Sequence, residues 1–480
     1  MPTINRNKLY EKILGCWIGK SIGGTLGTPF EGKRELLDVK DFTSKSGQPL
    51  PNDDLDLQLI WLKALEDCGP LGVNASVLGE YWISYIPPHW NEYGIGKSNM
   101  KAGLLPPMSG DYDNPWKHSN GAWIRSEIWA CCTPGCPELA AKYSFYDASA
   151  DHGTGEGTYA ELFTSALESA AFIESDRNRL INIGLSYIPS DCRVAKSINI
   201  ALDGYKKGLD WKETRNLVLE DSGDLGWFQA PANVAFVIIG WLYGEGDFKK
   251  SLLTAVNCGD DTDCTAATLG SILGIINGAE KLPKDWKNHV GDNIITMAID
   301  RGSWWNIPET CTGLTDRVMS MALQMLAANR TNVIISDKET SIGEADINRL
   351  TASDKYIEKL KNMNNALCFD FIHSSAELFY KDGVGVKAEQ EISLEITIKN
   401  KLYDPRHLEV TYILPNGFTL VQGEKRITLS NQTDRTNGSV TFTVTYKAGN
   451  EVQSENRGII QIVAQNRPTV ILIPILFFGK

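Results

Sequence analysis

Hydrophobic and polar positions follow two different patterns along the chain, with a change near residue 340. Before it, apolar residues recur every three or four positions, as from Tyr159 to Phe172 and from Val318 to Leu326. This period is typical of amphipathic helices, and glycine-rich and proline-rich connectors separate the helical runs. The pattern therefore predicts an all-α domain over residues 1–335.

After about residue 365 the apolar period changes to two, which is typical of half-buried strands. Asn416-Gly417 and Asn437-Gly438 supply turn signals between the strand-like runs. Short antiparallel strands over residues 365–480 predict a β-sandwich, and the polar residues 336–364 predict a linker or a peripheral helix. The predicted fold class is multidomain α plus β, with a helical domain followed by a C-terminal β-sandwich. The clearest strand-like runs are 392–398, 408–412 and 440–446.

The composition is that of a globular protein, and it narrows the classes of partner. A net charge of −12 disfavours nucleic acid, because phosphate binding needs clustered lysine and arginine. The apolar run from Val470 to Phe478 is interrupted by Pro474 and is too short for a membrane helix. The 10 cysteines form no CxxC pair and suit a reducing compartment. We expect a cytoplasmic protein with no membrane partner; a removed signal peptide stays open.

Two segments, which we call the glycine ladders, carry a small residue at every fourth position. In a helix, this spacing places the small residues on one face. Glycine inside a helix costs about 1 kcal/mol relative to alanine, so close backbone approach must offset that cost. We therefore expect both segments deep in the helical core and touching, unless Gly23-Gly24 forms a turn. The ladders are Gly15, Gly19, Gly23 and Gly27, and Ala266, Gly270, Gly274 and Gly278.

Each glycine ladder neighbours a cluster of carboxylates. Asn52-Asp53-Asp54-Leu55-Asp56 precedes an apolar run, and Asp260-Asp261-Thr262-Asp263 precedes the second ladder. Both clusters are predicted at helix N-termini, where an Asn or Asp caps the helix and the dipole favours negative charge. Capping explains one carboxylate per helix, whereas several adjacent ones indicate a bound cation. Oxygen ligands favour Mg²⁺ as one or two ions, with Mn²⁺ or Ca²⁺ as alternatives, and neither cluster has EF-hand spacing.

Four segments in order make the chain resemble the ADP-ribosylglycohydrolase family over roughly residues 8–310. They are residues 15–31, Asn52-Asp53-Asp54, Ser119-Asn120-Gly121-Ala122 with Arg125, and residues 257–274, and Asp151-His152 is a weaker fifth. The resemblance implies an all-α fold with two metal ions, usually magnesium, that removes ADP-ribose from modified proteins. One segment alone is a weak signal, and the ordered set is specific.

The resemblance also implies roles for individual residues. Glu31 matches a family glutamate near the metals and is the candidate general base, and His152 has about even odds of being a structural residue instead. The predicted catalytic residues are Glu31, Asp54 and Asp261. The predicted metal ligands are Asn52, Asp53, Asp54, Asp261 and Asp263. The predicted substrate-binding residues are Asn120, Gly121, Trp123, Arg125 and His152.

The chain departs from the family pattern within both acidic clusters. Asn52, Leu55 and Cys264 each stand where the family has threonine, so hydroxyl ligands are lost from both clusters. Cys264 is a poor ligand for magnesium. Asp56 replaces a family glutamine and Asp260 a family glycine. We expect the choice of substrate to be explained at Asn52, Asp56, Asp260 and Cys264.

Aromatic residues of the helical part are candidates for stacking against a ring of the substrate, although most tryptophans fill protein cores. The first candidates are Trp82, Trp90, Tyr93 and Trp123. The segment from Asp224 to Asn233 is either a substrate-facing loop or a packed turn. Three hypotheses stay open for the function: a hydrolase of ADP-ribosyl groups, a hydrolase of a carbohydrate furanoside, and a non-catalytic relative. The expected partner is a small-molecule, glycan or ADP-ribosyl substrate.

Overall fold

The computed structural model describes residues 1–300, 306–362, 366–433 and 436–480. They form two compact units, the first from Met1–Ser98 and Ser109–Lys361 and the second from Asn99–Met108 and Asn362–Lys480. The first unit is mainly helical and the second contains two five-stranded sheets, which confirms the predicted fold class. The predicted boundary at residues 364 and 365 lies outside the described residues.

The helices begin and end as follows. They are α1 (Arg6–Gly27), α2 (Asp53–Cys68), α3 (Ala75–Tyr85), α4 (Asn91–Ala102), α5 (Met108–Asp111), α6 (Glu127–Cys132), α7 (Pro137–Ala148), α8 (Glu156–Ala171), α9 (Arg177–Ser186), α10 (Arg193–Lys206), α11 (Trp211–Ser222), α12 (Ala230–Tyr243), α13 (Phe248–Asn257), α14 (Thr262–Asn277), α15 (Lys284–Val290), α16 (Cys311–Ala328), α17 (Glu344–Ile347) and α18 (Asp354–Asn362).

The strands begin and end as follows. They are β1 (Thr3–Asn5), β2 (Ile334–Ser336), β3 (Ala366–Asp370), β4 (Ser374–Tyr380), β5 (Gly385–Val386), β6 (Glu391–Asn400), β7 (Arg406–Ile413), β8 (Thr419–Gln422), β9 (Arg426–Leu429), β10 (Gln432–Thr433), β11 (Thr436–Asn437), β12 (Ser439–Lys447), β13 (Glu455–Ala464) and β14 (Val470–Gly479).

The two glycine ladders lie in the core of the helical unit, on α1 and α14, and their backbones touch, except that Gly278 follows the end of α14 with a φ of +78° and caps that helix. A Cβ atom on Gly19 would lie 2.1 Å from the carbonyl oxygen of Gly270, and one on Gly270 would lie 2.1 Å from that of Gly19. Carbon and oxygen atoms do not pack at such a distance, so only glycine fits at these positions. Helix α1 runs without a break from Arg6 to Gly27, which excludes a turn at Gly23-Gly24. The prediction of buried, touching ladders is confirmed.

Strands β1 and β2 pair in parallel within the helical unit, as in Ile4 opposite Ile335, so this unit is not purely α. The sequence pattern missed the pair because each strand has only three residues. The polar stretch that follows contains α17 and α18, which belong to the helical unit. Within the part of the chain that the structure describes, no helix combines the length and apolar character needed to cross a bilayer.

The second unit is a sandwich of two sheets with strand orders β3-β4-β6-β12-β8 and β5-β14-β13-β7-β9. Alternate residues of β6 and β12 face the core, and Ile396 pairs with Phe442 across these two strands. Aromatic rings join the two sheets, since Phe477 of β14 lies 5.9 Å from the rings of both Tyr380 and Tyr446. The alternation read from the sequence therefore has its cause in burial of one face of each sheet.

Candidate active site

The tight packing of α1 against α14 brings three chain segments together at one end of the glycine ladders. Helix α1 ends at Gly27 and leads through a short 3₁₀ turn to Glu31, while α14 begins beside it at Thr262. Ligand atoms of Glu31, Asp261 and Asp263 lie within 4.8 Å of one another. Carboxylates from distant parts of the sequence thus converge on one small volume.

A second group shares Asp263 with the first. Ligand atoms of Asp54, Asp263 and Cys264 also lie within 4.8 Å of one another, and the thiol of Cys264 is 3.6 Å from Oδ1 of Asp54. Helix α2 supplies Asp54 from its first turn. Asp263 therefore stands between two groups that could each hold a cation.

Two buried oxygen atoms test whether these residues fit a metal ion. Oδ2 of Asp54 and Oδ1 of Asp263 accept no hydrogen bond from any described residue. A buried carboxylate oxygen without a donor is costly, and a divalent cation would remove that cost. The oxygen-rich donor set also suits a hard ion such as Mg²⁺. The residues present therefore fit the metal that the sequence predicts.

The carboxylates of the cluster have raised pKa values because they are buried close to one another. Burial, followed by repulsion from Asp263, raises the pKa of Asp53 to about 6. Burial and repulsion from Asp263 and Asp53 raise the pKa of Glu31 to about 7. Burial also raises the pKa of Asp54 well above its ordinary value, against the opposing effect of Lys20. These carboxylates need positive charge nearby to be ionised together at neutral pH.

A buried polar layer beneath the cluster escaped the sequence analysis. Nζ of Lys20 lies 2.7 Å from Oε1 of Glu127, and both side chains are buried. Gln58 donates to the carbonyl of Asp54 at 2.9 Å and to Glu127 at 2.8 Å. Burial lowers the pKa of Lys20, but Glu127 and Asp54 raise it more, so the ammonium stays charged. The available signal was a lysine, a glutamine and a glutamate in otherwise apolar helical runs.

Asn52 occupies the N-cap of α2, and one acceptor site of its side-chain carbonyl is used there. Its Oδ1 accepts the backbone N–H of Asp54 at 2.8 Å, and its Nδ2 lies 3.4 Å from Oδ2 of Asp263. Helix α1 passes so close that a Cβ atom on Gly24 would lie 2.4 Å from Nδ2 of Asn52. The structure gives Asn52 the role of a helix cap, and its predicted role as a metal ligand stays a prediction.

The loop carrying Asn120 and Gly121 borders the cluster. Nδ2 of Asn120 donates to Oδ2 of Asp261 at 2.8 Å, and the indole of Trp123 donates to Oδ1 of Asn120 at 2.9 Å. A Cβ atom on Gly121 would lie 2.4 Å from Oε1 of Glu92, a buried carboxylate that the sequence analysis missed. Trp123 is fully buried, so it orients Asn120 and is not a platform for a substrate ring, contrary to expectation.

Arg125 and His152 are also buried, which corrects their predicted contact with substrate. The guanidinium of Arg125 donates to Asp147 at 2.8 Å and to Asp151 at 2.7 Å. His152 lies 2.9 Å from Asp151 through Nδ1 and 3.0 Å from the hydroxyl of Ser119 through Nε2. These contacts use the side chains within the core, so the two residues support the loop that carries Asn120 and Gly121.

The positions that depart from the family pattern have different surroundings. Oδ2 of Asp56 accepts the backbone N–H of Ala298 at 2.7 Å, and Oδ1 of Asp260 lies 3.4 Å from Nε of Arg34. Cys264 alone of these three joins the ligand group described above. The expectation that Asp56 and Asp260 select the substrate is therefore not supported, because both side chains serve the protein's own structure.

Exposed aromatic rings stand on one flank of the cluster. The ring of Trp90 is 46% exposed and lies 6.1 Å from that of Tyr93, at an angle of 29°. Tyr93 in turn hydrogen-bonds to the side chain of Asp53. Trp82 is fully buried and covers Arg125, whose guanidinium carbon is 4.8 Å from the ring. Of the four aromatic candidates, Trp90 is exposed and able to meet a ligand, whereas Tyr93 is only 3% exposed and supports Trp90 from below.

The segment from Asp224 to Asn233 also borders the cluster. Its Phe228 carbonyl accepts the N–H of Asn120 at 2.9 Å, and Oδ1 of Asn233 accepts the N–H of Asp261 at 3.1 Å. The ring of Phe228 lies 5.4 Å from that of Trp116, which is 36% exposed. The segment is thus a packed turn that also borders the site, and Trp116 is an aromatic neighbour that the sequence analysis did not single out.

Comparison with known proteins gives a family for the helical part. The model of the ADP-ribosylglycohydrolase family matches residues 5–322. A solved structure described as an ADP-ribosylglycohydrolase-related protein complex matches at 16% identity and a TM-score of 0.44, covering 67% of this chain and 99% of that one. No curated protein matches the chain.

Two further solved structures match about a quarter of the chain. A FixG-related protein from Vibrio parahaemolyticus matches at 9% identity and a TM-score of 0.19, covering 23% of this chain and 99% of that one. The GAE domain of GGA2p from Saccharomyces cerevisiae matches at 11% identity and a TM-score of 0.16, covering 24% of this chain and 96% of that one.

Proposed function

The chain belongs to the ADP-ribosylglycohydrolase family, and from that premise we propose that it is a metal-dependent hydrolase that cleaves a glycosidic bond at the anomeric carbon of an ADP-ribosyl or related ribosyl group. The observation that carries the proposal is the convergence of carboxylates at the ends of α1, α2 and α14. Their unpartnered buried oxygens and raised pKa values favour a cation in the middle of the cluster.

We assign the metal to the aspartates of the two clusters, Asp53 and Asp54 on α2 and Asp261 and Asp263 at the start of α14. Magnesium is the proposed ion, as one or two ions, with Mn²⁺ or Ca²⁺ as alternatives. When bound, such an ion supplies positive charge that neutralises the carboxylates and polarises oxygen atoms of the substrate or of water.

Glu31 is the proposed general base. Its carboxylate is exposed to solvent at the edge of the cluster, where it can receive a proton from the water that attacks the anomeric carbon. In the metal-free protein, burial and repulsion from Asp263 and Asp53 raise the pKa of Glu31 to about 7. Asn120 holds Asp261 through a 2.8 Å hydrogen bond and so fixes one carboxylate of the site during the reaction.

The aromatic rings near the cluster support a substrate that contains a nucleobase or a sugar ring. Trp90 packs on Tyr93, and Trp116 packs against Phe228. Such rings stack equally well on a nucleobase or on a sugar face. For this reason a carbohydrate furanoside is the second candidate substrate, and a non-catalytic relative is the third possibility that the experiment must separate.

The experiment is a hydrolysis panel on the purified full chain with Mg²⁺ or Mn²⁺. It compares an ADP-ribosylated peptide with aryl pentofuranosides. Asp261→Ala should abolish turnover, whereas the matched control Asp247→Ala, which removes the N-cap of the distant helix α13, should leave it unchanged. Release of ADP-ribose that needs both metal and Asp261 supports the proposal.

Three results would contradict it in different ways. Cleavage of the furanosides alone would replace the ADP-ribosyl substrate by the second candidate. Turnover that persists in a chelator would remove the metal from the mechanism. No turnover of either substrate class, by a protein that binds magnesium and is folded, would favour the non-catalytic relative.

A further inference from the structure

A cluster of positive side chains lies at one end of the β-sandwich, in the second unit. His373 stands in the turn between β3 and β4, Lys401 follows β6, Arg406 begins β7, and Arg467 lies between β13 and β14. Backbone hydrogen bonds bring these connections together in pairs, from Lys401 N–H to the carbonyl of His373 at 3.1 Å and from Gln465 N–H to that of His407 at 3.0 Å. Both sheets therefore contribute to this end.

Arg406 is the central feature of the cluster. Its side chain is only 5% exposed, yet Nε, Nη1 and Nη2 all lack a hydrogen-bond acceptor among the residues that the structure describes. A buried guanidinium ordinarily has its donors satisfied, because an unpaired buried charge is strongly unfavourable. Burial and repulsion from Arg467 lower the pKa of Arg406, in keeping with a positive charge in want of a counter-ion.

His373 shares this environment. It is 4% exposed, its Nδ1 lies 2.9 Å from the hydroxyl of Ser374, and its Nε2 has no partner in the described ranges. Burial and repulsion from Arg406 and Arg467 lower the pKa of His373, so the ring is neutral at pH 7. When Ser374 donates to Nδ1, Nε2 carries the hydrogen and becomes a further donor next to the guanidinium.

The acidic residues nearby are engaged with the outer cations. Asp404 lies 3.6 Å from Arg467, and Asp370 pairs with Lys401. Neither carboxylate reaches the donors of Arg406. The inner part of the cluster thus keeps an excess of positive charge and of hydrogen-bond donors, with acceptors missing.

We propose that the cluster of His373 and Arg406, with Arg467 nearby, binds an oxyanion, namely a carboxylate, phosphate or sulfate group of a ligand. The planar fork of a guanidinium matches two oxygens of such a group, and the imidazole can donate to another. The β-sandwich would then act as a binding module for an anionic ligand, separate from the hydrolytic chemistry of the acidic clusters.

Calorimetric titration of the full chain tests this assignment, with inorganic phosphate, sulfate and glucuronate as probes and glucose as the uncharged control. At least one anion should bind, and glucose should not. Arg406→Met should weaken that binding by about 10-fold or more, since hydrogen bonds to a charged group are lost. Arg426→Met, at an exposed position on the neighbouring strand β9, is the matched control. It should leave the affinity within about 2-fold, because that side chain lies away from the donors of His373 and Arg406.

The pattern of probes identifies the group. Binding of glucuronate alone indicates a carboxylate, as in an acidic sugar, whereas binding of phosphate or sulfate indicates a tetrahedral anion. Should Arg406→Met fail to fold, Arg406→Lys retains the charge without the fork and should still bind more weakly than the wild type. The proposal is overturned if none of the three anions binds the wild-type chain, or if binding is the same in the Arg406 variants.

Discussion

One residue of the first glycine ladder, Gly27, packs directly against the backbone of Asp263, a proposed metal ligand, so its substitution tests how the fold holds the site. A Cβ atom on Gly27 would lie 2.3 Å from the carbonyl oxygen of Thr262 and 2.4 Å from Cα of Asp263. A Cβ atom on Gly15 would meet the carbonyl oxygen of Gly274 at the same distance of 2.3 Å. The two positions therefore share the same shortest clash distance near opposite ends of one helix pair, and Gly27 adds two contacts at 2.4 Å to the backbone of Asp263.

The magnitude of the clash follows from these distances. Carbon and oxygen atoms pack at about 3.5 Å, so α1 and α14 must move apart locally by roughly 1 Å in either variant. Overpacking of this kind costs about 1 to 3 kcal/mol, while alanine regains about 1 kcal/mol of helix propensity over glycine. Both Gly27→Ala and Gly15→Ala should thus lower the free energy of unfolding by roughly 0 to 2 kcal/mol, or by more if the helices separate along their length.

The effect on metal binding should differ between the two variants. Gly27→Ala displaces the backbone of Asp263 directly, and a misplaced metal support typically costs about 10- to 100-fold in affinity. Gly15 lies roughly 18 Å further along the helix axis, at a rise of about 1.5 Å per residue, so its clash should change magnesium affinity by less than about 3-fold.

The assay is titration of each variant with Mg²⁺ by calorimetry, combined with urea unfolding in the presence of a chelator. Gly223→Ala serves as a control for the substitution itself, because the nearest atom to an added Cβ lies 3.6 Å away and no strain is expected. Equal losses of magnesium affinity in Gly27→Ala and Gly15→Ala would refute the reasoning, since the site would then respond to global stability and not to local geometry.

Three further predictions concern the charges of the site. Cys264→Thr should raise magnesium affinity by about 10-fold and lower cadmium affinity, because an oxygen ligand replaces a thiol. Titration with both ions measures the two affinities, and an unchanged ratio of magnesium to cadmium affinity would contradict the prediction. The raised pKa values of Asp53 and Glu31, about 6 and about 7, mean that the metal-free folded state holds protons that the unfolded state releases. Its melting temperature in chelator should therefore fall as the pH rises from about 4 to about 7, and saturating Mg²⁺ should flatten the profile, whereas a rise would contradict the assignment. Lys20→Met should destabilise the chain by about 3 to 5 kcal/mol by leaving Glu127 uncompensated, and adding Glu127→Gln should restore much of that loss in urea unfolding; additive losses would contradict the pairing.

The elements that the sequence predicted well are those in which one local rule determines the structure. Alternation in residues 440–446 corresponds to β12 because one face of that strand is buried against the other sheet. The spacing of Gly15 to Gly27 predicted contact with a second glycine helix because only a close backbone approach makes repeated glycine worthwhile. Both inferences use periodicity, which is visible in the sequence without knowledge of the tertiary fold.

The burial of individual side chains in the site could not be predicted from periodicity. Arg125 and His152 have residue types that bind ligands, yet Asp147 and Asp151 lie close enough to enclose them in the core. Residue type limits the chemistry of a side chain, whereas its burial depends on contacts between segments far apart in sequence. Lys20 was missed for the same reason, because its partner Glu127 is 107 positions away.

The residues of the two acidic clusters that depart from the family pattern differ in their contacts. Asp56 binds backbone N–H groups and Asp260 faces Arg34, so neither adds negative charge to the ligand groups. Cys264 contributes a thiol to the same group as Asp54 and Asp263. A softer atom in a ligand group changes the preference for the ion more directly than the preference for the sugar. The chain's divergence within the clusters therefore points to its metal, and discrimination between substrates is to be sought at the exposed flank of Trp90.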